Sequence, residues 1–224
     1  MNKAELNNIE LHKVEVRNAC VGDIDAIMDV EREAFIPEIN ESRSVFLERM
    51  NVFPEGFFVL LDEGEVCGYF CCEIWKDVPR GKLSFVLGHS AAASHCYEGG
   101  VLYVSSVALL KKCRGRGLGK RLFAECVSRV LQKFPGVREC VLLVCEKWSA
   151  ARRIYEDMSF CEYGRLEDFF PSAARAFGEG RDSLEKTGGF DCGILMKTDR
   201  TSLEKKLGTD KGTEYRINVS GEKV

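Results

Sequence analysis

Two spacings of apolar residues alternate along the chain and predict strands interleaved with helices. Consecutive or alternating apolar residues predict strands at residues 14–17, 57–61, 65–75, 101–110, 141–145, 160–165 and 192–197. Apolar residues spaced three and four apart predict helices at residues 24–35, 44–50, 118–134 and 149–158. This order predicts an α/β or α+β fold in which helices flank a central mixed sheet.

Polar and glycine-rich stretches separate these elements and indicate one domain followed by a tail. Asp23 is predicted to be the N-cap of the first helix, and Asp62-Glu63-Gly64 is predicted to be a hairpin turn. Residues 76–100 are rich in Gly, Ser, Ala and Pro and predict a long connection. We therefore expect a domain at residues 1–200 and a polar tail at residues 201–224.

The composition agrees with a globular domain and narrows the classes of partner. The 224 residues are 45% hydrophobic and 30% charged, and the formal net charge is −3, which gives no overall electrostatic case for binding nucleic acid or membranes. The N-terminus is polar, and no apolar run approaches the roughly 20 residues of a membrane span, so we expect a cytoplasmic protein. The eleven cysteines lack metal-ligand spacing, and we expect buried free thiols and no metal.

A basic, glycine-rich segment lies between the predicted strand at 101–110 and the following amphipathic helix. Its residues are Arg114, Gly115, Arg116, Gly117, Leu118, Gly119 and Lys120. A helix N-terminus presents unpaired N–H groups and a partial positive charge, and glycines let an anion approach them closely. The spacing is neither that of a dinucleotide-binding fingerprint nor that of a phosphate-binding loop with a Lys-Ser pair. The segment therefore predicts a pyrophosphate site, with a plain surface turn as the alternative.

The spacing Arg114, Gly117 and Gly119 at this strand-to-helix junction resembles the signature of the GNAT acetyltransferase superfamily. The resemblance spans about residues 14–198, and it implies a GNAT fold with a mixed, mostly antiparallel sheet. It also implies that acetyl-CoA is the cosubstrate. In the family, the loop amides bind the CoA pyrophosphate, and the strand end that matches Val107, Ala108 and Leu109 pairs its backbone with the pantetheine arm.

The resemblance continues in the helix that carries Tyr155. In the family, a tyrosine at this place protonates the departing CoA sulfur, and a phenol with a pKa near ~10 suits that role. Two positions depart from the family pattern. Trp148 stands where many members have Asn, and Ser159 stands where Gly is usual.

The base that deprotonates the acceptor amine is assigned less directly, and several residues are candidates. Tyr103 and Ser105 share one face of the strand before the loop, at places where arylalkylamine acetyltransferases have histidines. Glu146 follows the next strand, and a carboxyl group beside a cleft is able to accept protons. His89 and His95 lie in the long connection and are further options, although loop histidines are more often simply exposed.

Three classes of function remain open from the sequence. Residues 31–36 and the pair Cys145-Glu146 resemble arylalkylamine acetyltransferases, which favours a small-molecule amine. The second class is a protein N-terminal or lysine acetyltransferase. Ribosomal-protein N-terminal acetyltransferases are also similar, but they have a Tyr-Tyr pair where this chain has Phe169-Phe170. A non-catalytic acyl-CoA-binding module, or an interaction domain acting through the charged insertion at 172–189, is the third class. A monomer or a homodimer is expected.

Overall fold

The computed structural model describes residues 13–79, 81–171 and 189–210, and the side chains of residues 209 and 210 are not described. The strands are β1 (Val14–Asn18), β2 (Phe57–Asp62), β3 (Glu65–Trp75), β4 (Val101–Leu109), β5 (Glu139–Cys145), β6 (Cys161–Pro171) and β7 (Phe190–Asp199). The helices are α1 (Ile24–Ala34), α2 (Arg43–Val52), α3 (Ala91–Ser94), α4 (Leu118–Lys133), α5 (Ser149–Asp157) and α6 (Arg200–Asp210).

The strands form one sheet in the order β1-β2-β3-β4-β5-β7-β6 within the described chain. β4 and β5 are parallel, and every other neighbouring pair is antiparallel. The predicted α/β fold with a mixed, mostly antiparallel sheet is therefore confirmed.

Helices cover both faces of the sheet because successive strand residues point to opposite sides. On one face, Phe70 and Cys72 of β3 pack in the same cluster as the apolar stripe of α4. On the other face, Tyr69 and Cys71 pack with α1 and α2. All eleven cysteines are free thiols, and eight of them are buried, as the sequence predicted. Within the described ranges, no helix has both the length and the apolar character that a membrane span requires.

The tail predicted from residue 201 begins later than the sequence indicated. Residues up to 210 belong to α6, in which Leu203 and Leu207 are buried against α4. Arg200 at the start of α6 donates to the carbonyl oxygens of Leu131 and Phe134 at the end of α4 (2.9 and 3.2 Å). These contacts connect parts of the chain far apart in sequence, and the local polarity of the segment concealed them. Residues 211–224 and most of the insertion, 172–188, lie outside the described residues.

Two further local predictions need correction. Asp23 stands at the N-cap position of α1, but its carboxylate makes no cap bond. It accepts from Arg17 (2.7 Å) and from the Cys20 N–H (2.8 Å), and these bonds lower the pKa of Asp23 to about 2. The strand predicted at 160–165 is also too short. β6 continues to Pro171, because pairing with β7 resumes beyond a bulge between Leu166 and Phe170.

The connection between β3 and β4, residues 76–100, is fixed to the domain by glutamate side chains. The His89 Nε2 atom lies 2.8 Å from Glu73 Oε1, and the Ala92 N–H donates to Glu48 (3.0 Å). The Gly88 N–H donates to Glu41 (3.0 Å). These hydrogen bonds attach the part of the connection around residues 88–92 to β3, α2 and the segment before α2.

Candidate active site

The site is built where β4 and β5 separate. The two strands pair over four positions, from Val101 opposite Glu139 to Val104 opposite Leu142. Residues 105–109 have no strand partner on this side in the described chain, whereas residues 106–109 remain paired with β3 on the other side. A bulge opposite Cys71 and Cys72 lies at this point, and a bulge increases local twist. The free edge of β4 therefore faces an opening and has room for an extended ligand.

A groove with a volume of about 570 Å³ occupies this opening. Val107, Ala108 and Leu109, three of the residues predicted to bind the cosubstrate, line it on one side. The glycine loop and α5 line the rest, and the remaining residues are Ala34, Phe35, Arg114, Gly115, Gly117, Gly119, Lys120, Phe123, Lys147, Trp148, Ser149, Ala150, Ala151, Ile154 and Tyr155. A volume in this range is typical of ligand sites.

The backbone of the glycine loop fits an anion. Gly115 and Gly117 have φ angles of 76° and 75°, in the left-handed region that glycine adopts without strain. α4 begins directly after Gly117, and no side chain caps it. Its first N–H groups therefore point toward the groove without an intrahelical partner, together with the positive end of the helix dipole. This arrangement fits the pyrophosphate of acetyl-CoA.

Some side chains of the glycine loop line the groove, and others pack against the rest of the domain. Arg114 and Lys120 line the groove, and the Arg114 Nε atom also donates to the Leu109 carbonyl oxygen (3.0 Å). Arg116 instead forms an ion pair with Asp62 at the end of β2 (2.5 Å), and the Leu118 side chain is buried in the core. Arg116 and Leu118 were predicted to bind the cosubstrate, but neither residue lines the groove, which leaves only their backbone for that role.

A second, smaller cavity of about 90 Å³ adjoins the groove. We call it the acceptor cavity. It shares five lining residues with the groove: Phe35, Val107, Trp148, Ala151 and Tyr155. Its other lining residues are Glu31, Ile39, Glu41, Phe85, Leu87, Tyr103, Val104, Ser105, Ser106, Leu142, Leu143, Val144 and Phe170. The two spaces therefore meet at Tyr155 and Trp148.

Tyr155 lies on α5 with its side chain half-buried between the two spaces. Burial raises the pKa of the Tyr155 hydroxyl to about 12. The phenol therefore keeps its proton at neutral pH and remains able to donate it. Trp148 fills the position usually held by Asn, and its ring contacts Phe35 and Phe170 at centroid distances of 5.3 and 5.2 Å. Ser159, in place of the usual Gly, has a φ of 67° just after α5.

Tyr103 and Glu146, two of the residues proposed as bases from the sequence, are held in contacts that do not favour that role. Tyr103 lines the acceptor cavity, but burial raises the pKa of its hydroxyl far above the usual value, and its ring is stacked on Trp75 at 4.0 Å. The phenol is therefore neutral, and it forms part of the wall. Glu146 lines neither space. Its Oε1 atom accepts from the Cys192 N–H (3.1 Å), so it bridges β5 and β7.

The remaining candidate bases are also engaged in other contacts. The Ser105 hydroxyl lines the acceptor cavity but donates to the Cys71 carbonyl oxygen (3.1 Å) across the β3–β4 bulge. His89 is hydrogen-bonded to Glu73, and His95 accepts from the Ile74 N–H (3.2 Å). Neither histidine lines the groove or the acceptor cavity.

Glu31 is a carboxylate of the site that the sequence patterns did not single out as a candidate. It lines the acceptor cavity with only 1% of its surface exposed. Burial raises the pKa of Glu31 to about 7, although hydrogen bonds from the Tyr69 hydroxyl and the Glu41 N–H oppose this effect. A signal was present in the sequence. Glu31 follows Ile24 and Ile27 by seven and four residues, so it stands on the buried face of α1.

A buried group of charges lies behind the acceptor cavity. Glu41 forms an ion pair with Arg49, and Glu73 lies 3.6 Å from the Arg49 Nε atom. Glu73 is fully buried. Its hydrogen bonds from Trp75 and His89 outweigh the effect of burial and lower its pKa to about 2. Together with Glu31, this group has three carboxyl groups for one guanidinium, which favours a cationic ligand nearby.

Comparison with known proteins places this geometry in a family. Residues 24–160 match the profile of the Acetyltransferase (GNAT) family. The chain is similar to N-alpha-acetyltransferase 30 of Schizosaccharomyces pombe, with 28% identity over 136 residues, covering 61% of this chain and 77% of the relative. It is also similar to an N-alpha-acetyltransferase of Sulfurisphaera tokodaii, with 27% identity over 165 residues, covering 72% of this chain and 89% of the relative.

The fold is similar to solved structures as well. One is the ribosomal-protein-S18-alanine N-acetyltransferase from Escherichia coli, with a TM-score of 0.59 and 15% identity. The match covers 84% of this chain and 94% of that chain.

Proposed function

Because the chain belongs to the GNAT acetyltransferase family and so is an acetyl-CoA-dependent N-acetyltransferase, we propose that its acceptor is a small, largely apolar primary amine. The observation that carries this proposal is the acceptor cavity. Its walls are aromatic and aliphatic, with Phe35, Phe85 and Phe170 among them, and its charged lining consists of carboxylates. An apolar amine places its hydrocarbon part against the walls and its ammonium group near Glu31.

The roles in the groove follow from its geometry. The amides of the glycine loop, with Arg114 and Lys120, hold the pyrophosphate of acetyl-CoA. The free edge of β4 at Val107, Ala108 and Leu109 hydrogen-bonds the pantetheine arm. This arrangement brings the thioester toward Tyr155, at the junction with the acceptor cavity. Holding both substrates side by side supplies the proximity that an uncatalysed reaction lacks.

Transfer then requires three proton movements. The acceptor ammonium must lose a proton before its nitrogen attacks the thioester carbon, because a primary amine with a pKa near ~10 is mostly protonated at neutral pH. The new C–N bond forms, the C–S bond breaks, and the Tyr155 hydroxyl gives its proton to the departing thiolate. The attacking nitrogen loses its second proton as the amide forms, and this proton restores the Tyr155 hydroxyl.

Acetylation of a protein N-terminus is the second candidate, and the names of the two curated relatives favour it. The small size of the acceptor cavity and the residues at its rim favour the first candidate. Phe170 is 5% exposed and packs against Phe169 (4.9 Å) and Trp148, so this part of β6 has apolar rings where a peptide would need hydrogen-bonding groups.

The test is a panel of acceptors incubated with the full chain and acetyl-CoA. The panel contains 2-phenylethylamine, hexylamine, ethanolamine, putrescine and peptides that begin with Ser or Met. Acetylated products are measured by mass spectrometry, since the exposed Cys20 and Cys161 would react with thiol reagents. We expect 2-phenylethylamine and hexylamine to have at least ~10-fold higher kcat/KM than ethanolamine. Their hydrocarbon parts are stabilised by contact with the apolar walls of the cavity. A preference for the peptides would support N-terminal acetylation instead.

A further inference from the structure

A hydrogen-bonded path connects the acceptor cavity with Glu31. Ser106 on β4 lines the cavity, and its Oγ atom lies 2.8 Å from the Tyr69 hydroxyl on β3. The Tyr69 hydroxyl in turn donates to Glu31 Oε2. Tyr69 is fully buried and does not line the cavity, so it connects the two groups from behind.

Glu31 has no partner that would neutralise it in the part of the chain that the structure describes. Arg49, the nearby buried guanidinium, is bound to both carboxylate oxygens of Glu41 instead. Among the described residues, Glu31 accepts from two neutral donors alone, the Tyr69 hydroxyl and the Glu41 N–H (2.9 Å). A buried carboxylate that is not paired with a cation is costly when ionised and is ready to accept a proton.

We infer that Glu31 is the general base of this enzyme and that Ser106 and Tyr69 carry the proton to it. This inference rests on the proposed function, because it requires the acceptor ammonium to lie in the cavity beside Ser106. It assigns the step for which Tyr103 and Glu146 proved unsuitable.

The proton transfer balances without any further reactant. The ammonium donates a proton to Ser106 Oγ, Ser106 passes its own hydroxyl proton to Tyr69, and Tyr69 passes its proton to Glu31. Ser106 and Tyr69 end as they began, Glu31 becomes a neutral carboxylic acid, and the acceptor becomes a neutral amine. The amine nitrogen then attacks the thioester carbon, and Tyr155 protonates the thiolate that leaves. The second proton of the attacking nitrogen is lost as the amide forms, and it restores the Tyr155 hydroxyl.

The pH dependence follows from the groups that surround Glu31. They are Tyr69 from β3, Glu41 from the segment before α2, and Arg49 from α2. Burial and Glu41 raise the pKa of Glu31, while Tyr69 and Arg49 lower it, with a result of about 7. We therefore expect kcat/KM for the amine to rise with pH through about 7, because kcat/KM reports the ionisation of the free enzyme and only the ionised carboxylate accepts a proton.

The decisive experiment is the pH profile of kcat for Glu31→Gln, with 2-phenylethylamine and acetyl-CoA as substrates. We expect kcat at pH 7 to fall at least ~100-fold, the usual contribution of a general base. The loss should shrink steadily above pH 9, because the solution then supplies the neutral amine itself. Asp29→Asn is the matched control, since Asp29 is an exposed carboxylate on the same helix, and it should keep the wild-type profile.

Two further variants test the path. Tyr69→Phe and Ser106→Ala each remove one hydroxyl and should lower kcat with the same recovery at high pH. A Glu31→Gln variant with the wild-type pH profile, or with a loss that high pH does not restore, would overturn the inference. Unchanged kcat in Tyr69→Phe would overturn the path.

A stability measurement separates this inference from the proposed function. The pKa of Glu31 is raised on folding, so its contribution to stability is complete below the pKa of an unfolded Glu, about 4.3, and is lost as pH rises through about 7. The melting temperature of the wild type should therefore fall more between pH 6 and pH 8 than that of Glu31→Gln. If this difference is found but no small amine is acetylated, the carboxylate is correctly described and the acceptor is wrong. If the difference is absent, Glu31 does not titrate there and the inference fails.

Discussion

The groove and the acceptor cavity meet at Tyr155, yet they are built in different ways. The groove is lined mainly by two continuous stretches, 107–123 and 147–155, and its anion site consists of backbone N–H groups at the start of α4. The acceptor cavity takes side chains from α1, the segments before α2 and α3, β4, β5, α5 and β6. The groove proposed for the cosubstrate is therefore local in sequence, and the cavity proposed for the acceptor is not.

This difference has a physical reason. A backbone anion site needs only a left-handed turn and a free helix N-terminus. Both favour glycine at nearby positions, so they can be recognised in the sequence. A side-chain cavity needs a shape and a charge distribution that depend on how distant elements pack. Substitutions in the groove should therefore affect every acceptor equally, whereas substitutions in the acceptor cavity should change the ranking of acceptors.

The largest effect is expected at the junction between the two regions. Tyr155→Phe should lower kcat by about 100-fold or more for every acceptor, because the thiolate then leaves without its proton donor. The dissociation constant of acetyl-CoA, measured by calorimetry, should change less than about 3-fold, since the ring is retained. Tyr97→Phe, an exposed tyrosine in the 76–100 connection, is the control. Equal kcat values for Tyr155→Phe and the wild type would remove Tyr155 as the acid.

A negative charge placed in the glycine loop should weaken acetyl-CoA binding without changing the acceptor cavity. Gly117→Asp and Gly117→Asn have nearly the same shape, and both residues tolerate the left-handed conformation better than other side chains do. The carboxylate should weaken acetyl-CoA binding relative to Asn by about 2–3 kcal/mol, which is about 30- to 150-fold, through repulsion of the pyrophosphate. Calorimetry compares the two variants, and circular dichroism checks their folding. Equal affinities would place the pyrophosphate elsewhere.

The smallest effect is expected in the acceptor cavity, and it should be selective. Phe170→Ala removes an apolar wall that the groove does not share. We expect the Michaelis constant for phenylethylamine to rise about 10-fold, in line with the ~1–3 kcal/mol that apolar pocket contacts supply. The affinity for acetyl-CoA should stay the same. Phe169→Ala is the neighbouring control, because Phe169 contacts Phe170 but does not line the cavity. Weaker acetyl-CoA binding in Phe170→Ala would contradict the separation of the two regions.

Particular residues show where inference from the sequence succeeded and where it stopped. The strand at 65–75 and the helix that starts at residue 118 were predicted to the residue, because their apolar patterns are long and regular. Arg116 was expected to face the cosubstrate, but its guanidinium group forms an ion pair with Asp62 at the end of β2. Glu146 was expected at the site, but it is hydrogen-bonded to Cys192, 46 residues away. The pattern around a residue does not show which distant group it will meet.

The sequence by itself determined the fold class, the glycine loop and the tyrosine that follows it. Each of these can be recognised from the residue pattern within a short stretch of chain. Tertiary structure decided which charged groups face the site. It buried Glu31 beside Ser106 and Tyr69, assigned Arg49 to Glu41, and turned Arg116 toward Asp62. The proton affinity of a carboxyl group depends on burial and on its neighbours in space, so only the packed chain defines it.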